Sequence, residues 1–142
     1  MRFYTYAALF EPGDEGGLVV SFPDVPEAIT QGDDQKDAAA MAEEALGLAL
    51  LTYPARGLPL PPPSVRDGLV PVTVDPQTAA KLAVLEAFAA AGLTKSELGR
   101  RLGKDEKEVR RILDPMHPTK LPALQAALAA LGRRLVIGVA DA

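Results

Sequence analysis

Residues 93–113, LTKSELGRRLGKDEKEVRRIL, restrict the fold more than any other stretch of the chain. Thr94 and Glu97 stand at the spacing of a capping box, in which each satisfies the other's free backbone amide. Leu98 and Leu102 fall on one face of the helix that follows. Gly99 is small where two helices must cross closely, and Gly103 can take the left-handed conformation of a tight turn. Asp105 suits the cap of a second helix, whose Val109 and Ile112 point inward. This pattern predicts a helix-turn-helix whose second helix enters the major groove of DNA. Arg110 and Arg111 point outward and fit guanine O6 and N7, and Lys107 fits a base or a phosphate. Glu106 fits cytosine N4 or else points away. Lys95, Ser96, Lys104 and Lys120 are phosphate candidates. The plainer alternative is a helical hairpin with a solvated charged face. Small, glycine and aliphatic residues all falling at the required spacings, with further helices on both sides, favour DNA.

The overall charge argues against that reading. The 142 residues have net charge −4 and pI near 5.0, whereas attraction to phosphate supplies much of DNA affinity. The charge is unevenly distributed, however. Residues 1–64 hold three basic and ten acidic residues, net −7; residues 65–76 are net −1; residues 77–142 hold eleven basic and seven acidic residues, net +4. Two unlike halves therefore average to an acidic chain. The front half suits a basic partner and the rear half suits DNA.

The front half reads as strands over 2–10, 18–22, a short one from 28, and 69–74, separated by Gly, Pro and acidic turns. Residues 36–53 read as a helix with an apolar stripe of Ala38, Met41, Ala42, Ala45 and Ala49, widened by Leu46 and Leu50, and Pro54 is expected to stop it. PLPPP within the loop 54–68 is stiff and extended. The rear half opens with Asp75-Pro76, a helix start. Its first helix is expected to bury Leu82, Leu85 and Phe88. A last helix carries Leu121, Leu124, Leu128 and Leu131, and RLVIGVA (134–140) reads as a terminal strand. The expected class is α+β. A β-β-β-α-β domain over 1–74 precedes an all-α helix-turn-helix domain with a terminal strand over 75–142. With aromatics at only 5%, the cores must be alanine and aliphatic.

Several function classes fall away. There is no cysteine, and His117 is the single histidine, so disulfides, thiolate metal sites and a multi-histidine zinc site within one chain are excluded. No cofactor or metal is expected. The N-terminus lacks a signal-peptide pattern and no stretch approaches a membrane span, so a cytoplasmic protein is expected.

DEGGLVVSFPDVPEAITQGDDQKDAAAMAEEAL, residues 14–46, resembles the HicB-type antitoxins. Ser21, Phe22, Pro23, Asp24, Pro26, Thr30, Gly32 and Asp33 match their pattern, and LPLPPPS (58–64) matches the proline-rich segment that follows it. PEA (26–28) departs from it, since many members have Gly-Cys after the proline. The rear half is similar to the Cro/repressor-type helix-turn-helix found in one branch. The resemblance implies a partial ribonuclease-H-like front domain that neutralises a small basic mRNA-cleaving toxin of the HicA kind. It implies a rear domain that represses the shared operon. Asp24, Glu27, Asp33, Asp34 and Asp37 are the expected toxin-facing acids. A homodimer or higher oligomer is expected, with the terminal strand pairing with that of a second chain.

Two other readings compete with this one. A nuclease needs carboxylates gathered around metal ions, but the acids lie in turns and at a helix start, and the strand cores hold none; no catalytic residue is expected. A ligand-sensing repressor needs a polar-marked pocket, and nothing polar in the strands marks one.

Overall fold

In a computed structural model, residues 1–64 and 66–141 are described; Val65, in the expected proline-rich loop, and Ala142 lie outside them. The chain divides into two compact units, Met1–Asp75 and Pro76–Ala142.

The front unit runs β1 (Thr5–Pro12), β2 (Leu18–Ser21), β3 (Ile29–Gly32), α1 (Gln35–Ala55) and β4 (Val70–Thr73). The order β-β-β-α-β is the expected one. The strands form one antiparallel sheet in the order β3-β2-β1-β4. Alternation along β1 buries Tyr6 and Ala8. These join Val20, Phe22 and Val72 with Ala38, Ala42, Leu46 and Leu50 of α1 in the core. The opposite face carries the cross-strand row Leu9, Ser21 and Ile29, of which Ile29 is 66% exposed.

Alanines on α1 let the helix lie close to the sheet, and Gly32 makes the closest approach. A Cβ built on Gly32 would stand 2.3 Å from the Ala38 amide nitrogen and 2.5 Å from its Cα. Both are backbone atoms that cannot step aside. The strand can therefore turn into the helix within three residues only if no side chain stands there.

The rear unit runs α2 (Pro76–Ala91), α3 (Lys95–Leu102), α4 (Glu106–Ile112) and α5 (Leu121–Ala130). Its core is Ala80, Val84, Ala87, Ile112, Leu124, Ala127 and Leu128, edged by Leu102, Leu113, Leu121, Leu131 and Leu135. Leu98 and Val109 are fully buried between α3 and its neighbours.

Three expectations are corrected. Helix α1 does not stop before Pro54 but contains it, ending at Ala55 with Gly57 left-handed just beyond. Proline removes one i→i−4 bond, its own, and crowds one carbonyl, and the helix runs only one residue past it. Helix α2 buries Ala80, Lys81, Leu82, Val84 and Ala87, while Leu85 and Phe88 are only half-buried. Of the three residues expected inside, Leu82 is fully buried and Leu85 and Phe88 lie at the margin of the buried face. Residues 134–140 form no strand; the segment is irregular, and Val136, Ile137 and Val139 are exposed. A strand needs a hydrogen-bonding neighbour, and the rear unit has no other strand among its described residues.

Gly32→Ala should lower the stability of the front unit by about 1–3 kcal/mol, the usual range for forcing extra carbon into a packed contact. Urea denaturation of the two proteins side by side reads it, and an unchanged midpoint would show that β3 and α1 can separate freely.

Candidate functional site

The rear unit gathers its cations around the α3–α4 pair. Thr94 caps α3 by accepting from the Glu97 amide at 3.1 Å, and Asp105 caps α4 by accepting from the Glu108 amide at 2.9 Å. Between them Gly103 is left-handed, with φ of 66°. Gly99 is needed for the crossing: a Cβ there would meet the Lys104 carbonyl oxygen at 2.9 Å. The turn and both helix starts are thus built by the residues whose spacing predicts them.

An open cleft of about 430 Å³ lies over this turn, lined by Lys95, Ser96, Gly99, Arg100, Gly103, Lys104 and Glu106. Three expected phosphate candidates, Lys95, Ser96 and Lys104, therefore come together. Arg100 joins them, and it was missed at the level of sequence. The signal was present: Ser96 and Arg100 are four residues apart on α3 and share a face. Lys120 stands at the start of α5, exposed and away from the cleft's lining. Lys107, Arg110 and Arg111 are all exposed on α4. Arg101 is used otherwise, donating to the Ala130 carbonyl at the end of α5 at 3.0 Å.

The acids of α4 are paired with this basic surface. The Glu106 carboxylate accepts from the Arg110 guanidinium at 2.9 Å, and Glu108 meets Lys104 at 3.2 Å, each four residues from its partner. Such exposed pairs add little to stability. Their effect is directional: Glu106 sets where the Arg110 guanidinium lies.

In the front unit the five expected acids divide by role. Asp24 is committed internally. Its Oδ2 accepts from the Ser64 amide at 2.9 Å and from the Ser64 hydroxyl at 2.7 Å, while its Oδ1 faces Arg66 at 3.3 Å. These bonds tie the turn after β2 to the proline-rich segment, which Tyr6 also holds by donating to the Pro61 carbonyl at 2.6 Å. The Ser64 hydroxyl and amide hold the Asp24 carboxyl below its ordinary range, with Arg66 adding to the effect and burial opposing it. Glu27 accepts from the Tyr53 hydroxyl at 2.6 Å, with Arg56 nearby at 3.9 Å. The Tyr53 hydrogen bond lowers Glu27 most, and burial together with Glu27 pushes Tyr53 up to about 12. Asp34 caps α1 by accepting from the Asp37 amide at 2.8 Å, and Asp37 accepts in return from the Asp33 amide at 2.8 Å. Asp33 and Asp34 are exposed and Asp37 is half-buried at that helix start. Among the described residues no three of His, Cys, Asp and Glu are arranged to hold a metal ion, and no helix is long and apolar enough to cross a membrane.

Comparison with known proteins places this geometry. Residues 5–83 match the model of the HicB-like antitoxins of bacterial toxin-antitoxin systems. The chain belongs to the HicB-like antitoxin family. It is 40% identical over 137 residues to "Antitoxin HicB 1" of Photorhabdus laumondii, covering 94% of this chain and 86% of that protein. It is 38% identical over 133 residues to "Antitoxin HicB" of Escherichia coli, covering 92% and 95% of the two chains. It is 30% identical over 128 residues to "Antitoxin HicB" of Pseudomonas fluorescens, covering 89% and 88%. The family match ends at residue 83, but the pairwise likenesses extend over nearly the whole chain. Proteins named as antitoxins therefore share the rear unit as well as the front.

The Asp24 contacts generate a prediction about this antitoxin's fold. Because the carboxyl is lowered in the folded state, its contribution to stability is present above the ordinary carboxylate pKa and is lost as pH falls through the folded value. Asp24→Asn should cost about 1 kcal/mol at pH 7, and the two proteins should converge as pH falls below about 4. Thermal melts across that range read it, and an equal difference at both ends would assign the loss to something other than the carboxylate.

Proposed function

We propose that the front unit binds and neutralises a small basic, mRNA-cleaving toxin of the HicA kind, and that the rear unit is a helix-turn-helix module that represses the shared operon. The reading makes the protein a cytoplasmic, non-enzymatic regulator with a partial ribonuclease-H-like front domain. The observation that carries it is the division of charge between two compact units. Residues 1–75 hold four basic and twelve acidic residues, net −8, and residues 76–142 are net +4.

For the toxin, complementary charge speeds encounter and disfavours wrong partners. The exposed acids at the start of α1, Asp33 and Asp34, with Asp37 beside them, remain the best toxin-facing candidates. Asp24 and Glu27 act chiefly by shaping the turn that borders them.

For DNA, α4 lies along the major groove with Arg110 and Arg111 toward base edges and Lys107 toward a base or phosphate. Lys95, Ser96, Arg100 and Lys104 surround the cleft at the turn and take the phosphate backbone, with Lys120 reaching a neighbouring phosphate. Glu106 steers Arg110 rather than reading a base itself. Operator reading of this type uses two half-sites, so the functional form is a homodimer or a higher homo-oligomer. The exposed Val136, Ile137 and Val139 are the natural contact for a second copy.

Co-expression with the small basic protein encoded beside it tests the first activity, and restored colony growth is the expected result. For the second, Arg110→Ala or Arg111→Ala should weaken operator binding by about 1–3 kcal/mol if the contact is to a base. Melting should hardly change, because both side chains are exposed. Gel shifts unchanged by both substitutions would remove α4 from the groove.

A further inference from the structure

Lys81 is the one lysine that the rear unit buries among its described residues, at 4% exposure. It lies on α2, and its ammonium meets four oxygens of the opposite wall. These are the carbonyls of Arg111 at 3.1 Å, Ile112 at 2.8 Å and Asp114 at 3.0 Å, and the Thr119 hydroxyl at 2.7 Å. An ammonium has three protons to give, so every one of them is used. Packing alone does not ask for a charge at this position, since an unbranched apolar side chain such as methionine is of similar length. Burial lowers the Lys81 pKa to about 8, with the Asp114 carboxylate opposing, so the ammonium stays mostly charged at neutral pH. A buried charge is retained only where its partners compensate it.

The four oxygens belong to the end of α4 and the loop behind it. The last carbonyls of any helix lack partners within the helix, and a cation placed there also opposes the helix dipole. Helix α4 has seven residues and buries only Val109 and Ile112, too short a segment to hold its own geometry. Those two side chains press its inner face against the core, with Ile112 at its last residue, and Lys81 adds polar contacts to the carbonyls there. Thr119 completes the clamp. Its hydroxyl also lies 3.3 Å from the Arg111 carbonyl, and its own carbonyl accepts from the Gln77 side chain, one turn before Lys81 on α2. The Arg111 backbone is thus fixed from two sides while its side chain projects outward.

We propose that Lys81 is a positioning residue for DNA reading: from the scaffold helix α2 it clamps the carboxyl end of α4 and the 113–119 loop, fixing the backbone from which Arg111 projects. The proposal rests on the DNA-binding reading above. Lys81 touches no DNA itself, so its loss should impair the choice of sequence and leave the general attraction to phosphate intact.

The test compares Lys81→Met with the unaltered protein in binding to operator DNA and to an unrelated duplex over the same series of salt concentrations. Melting is recorded first, and amide hydrogen exchange over residues 111–119 is measured alongside. The folded variant should lose tenfold or more in operator affinity and less than threefold on the unrelated duplex. Its slope of affinity against salt should be unchanged, because the phosphate contacts remain. Exchange over 111–119 should quicken tenfold or more. A folded Lys81→Met whose ratio of operator to unrelated binding stays within twofold overturns the proposal, as does unchanged exchange. If Lys81→Met does not fold, Thr119→Val removes one of the four oxygens, and a threefold or greater fall in that ratio is expected; an unchanged ratio again overturns the proposal. Failure of the DNA reading is distinguishable, because the unaltered protein would then show no preference for the operator.

Discussion

Separation of acidic from basic side chains governs the organisation of this chain. A surface that suits a basic protein repels DNA, and the two cannot share one small patch without cancelling each other. The chain separates acidic from basic surface along its length, with twelve acids before Pro76 and most of its cations after it. Each unit then needs its own core, and each has one: Tyr6, Phe22, Val20, Leu46 and Leu50 in the first, Ala80, Val84, Leu124 and Leu128 in the second. The acidity of the whole is an average and describes neither unit.

Within each unit the polar contacts set position where apolar packing alone would leave freedom. Asp24 and Tyr6 fasten a proline-rich segment that contains neither helix nor strand. Glu27 and Tyr53 join the turn after β2 to the far end of α1. Lys81 and Thr119 do the same for the short helix α4. Apart from the exposed Glu27 these groups are buried or half-buried, and all are satisfied; among the described residues no buried side-chain nitrogen or oxygen lacks a partner. Burying such groups unpaired would cost more than their bonds return.

Much of this was legible in the sequence, and the exceptions have physical causes. The strands, the long helix, the Gly99 crossing and the Gly103 turn follow from local rules: alternation, helical period, capping and left-handed glycine. The rear helices were found because Pro76, Thr94 and Asp105 mark their starts. Lys81 was not found, because a lysine on an alanine-rich helix reads as solvated unless one knows which carbonyls surround it. Leu85 and Phe88 read as deeper than they lie, because helix period gives the width of an apolar face but not which edge meets the neighbour. The segment 134–140 has the composition of a strand, yet composition cannot supply the second strand it must pair with. Asp24 and Glu27 stood out as acids in a turn; that Ser64 and Tyr53 hold them depends on pairs 40 and 26 residues apart.

The division of charge between two compact units implies two activities in two separable bodies. Expression of residues 1–75 and 76–142 as individual proteins, each beside the toxin in growing cells and each against operator DNA in vitro, tests it most directly. Residues 1–75 should restore growth without binding the operator. Residues 76–142 should bind the operator, with steep loss as salt rises, and should not restore growth. Rescue by 76–142 alone would contradict the assignment of the acidic unit to the toxin.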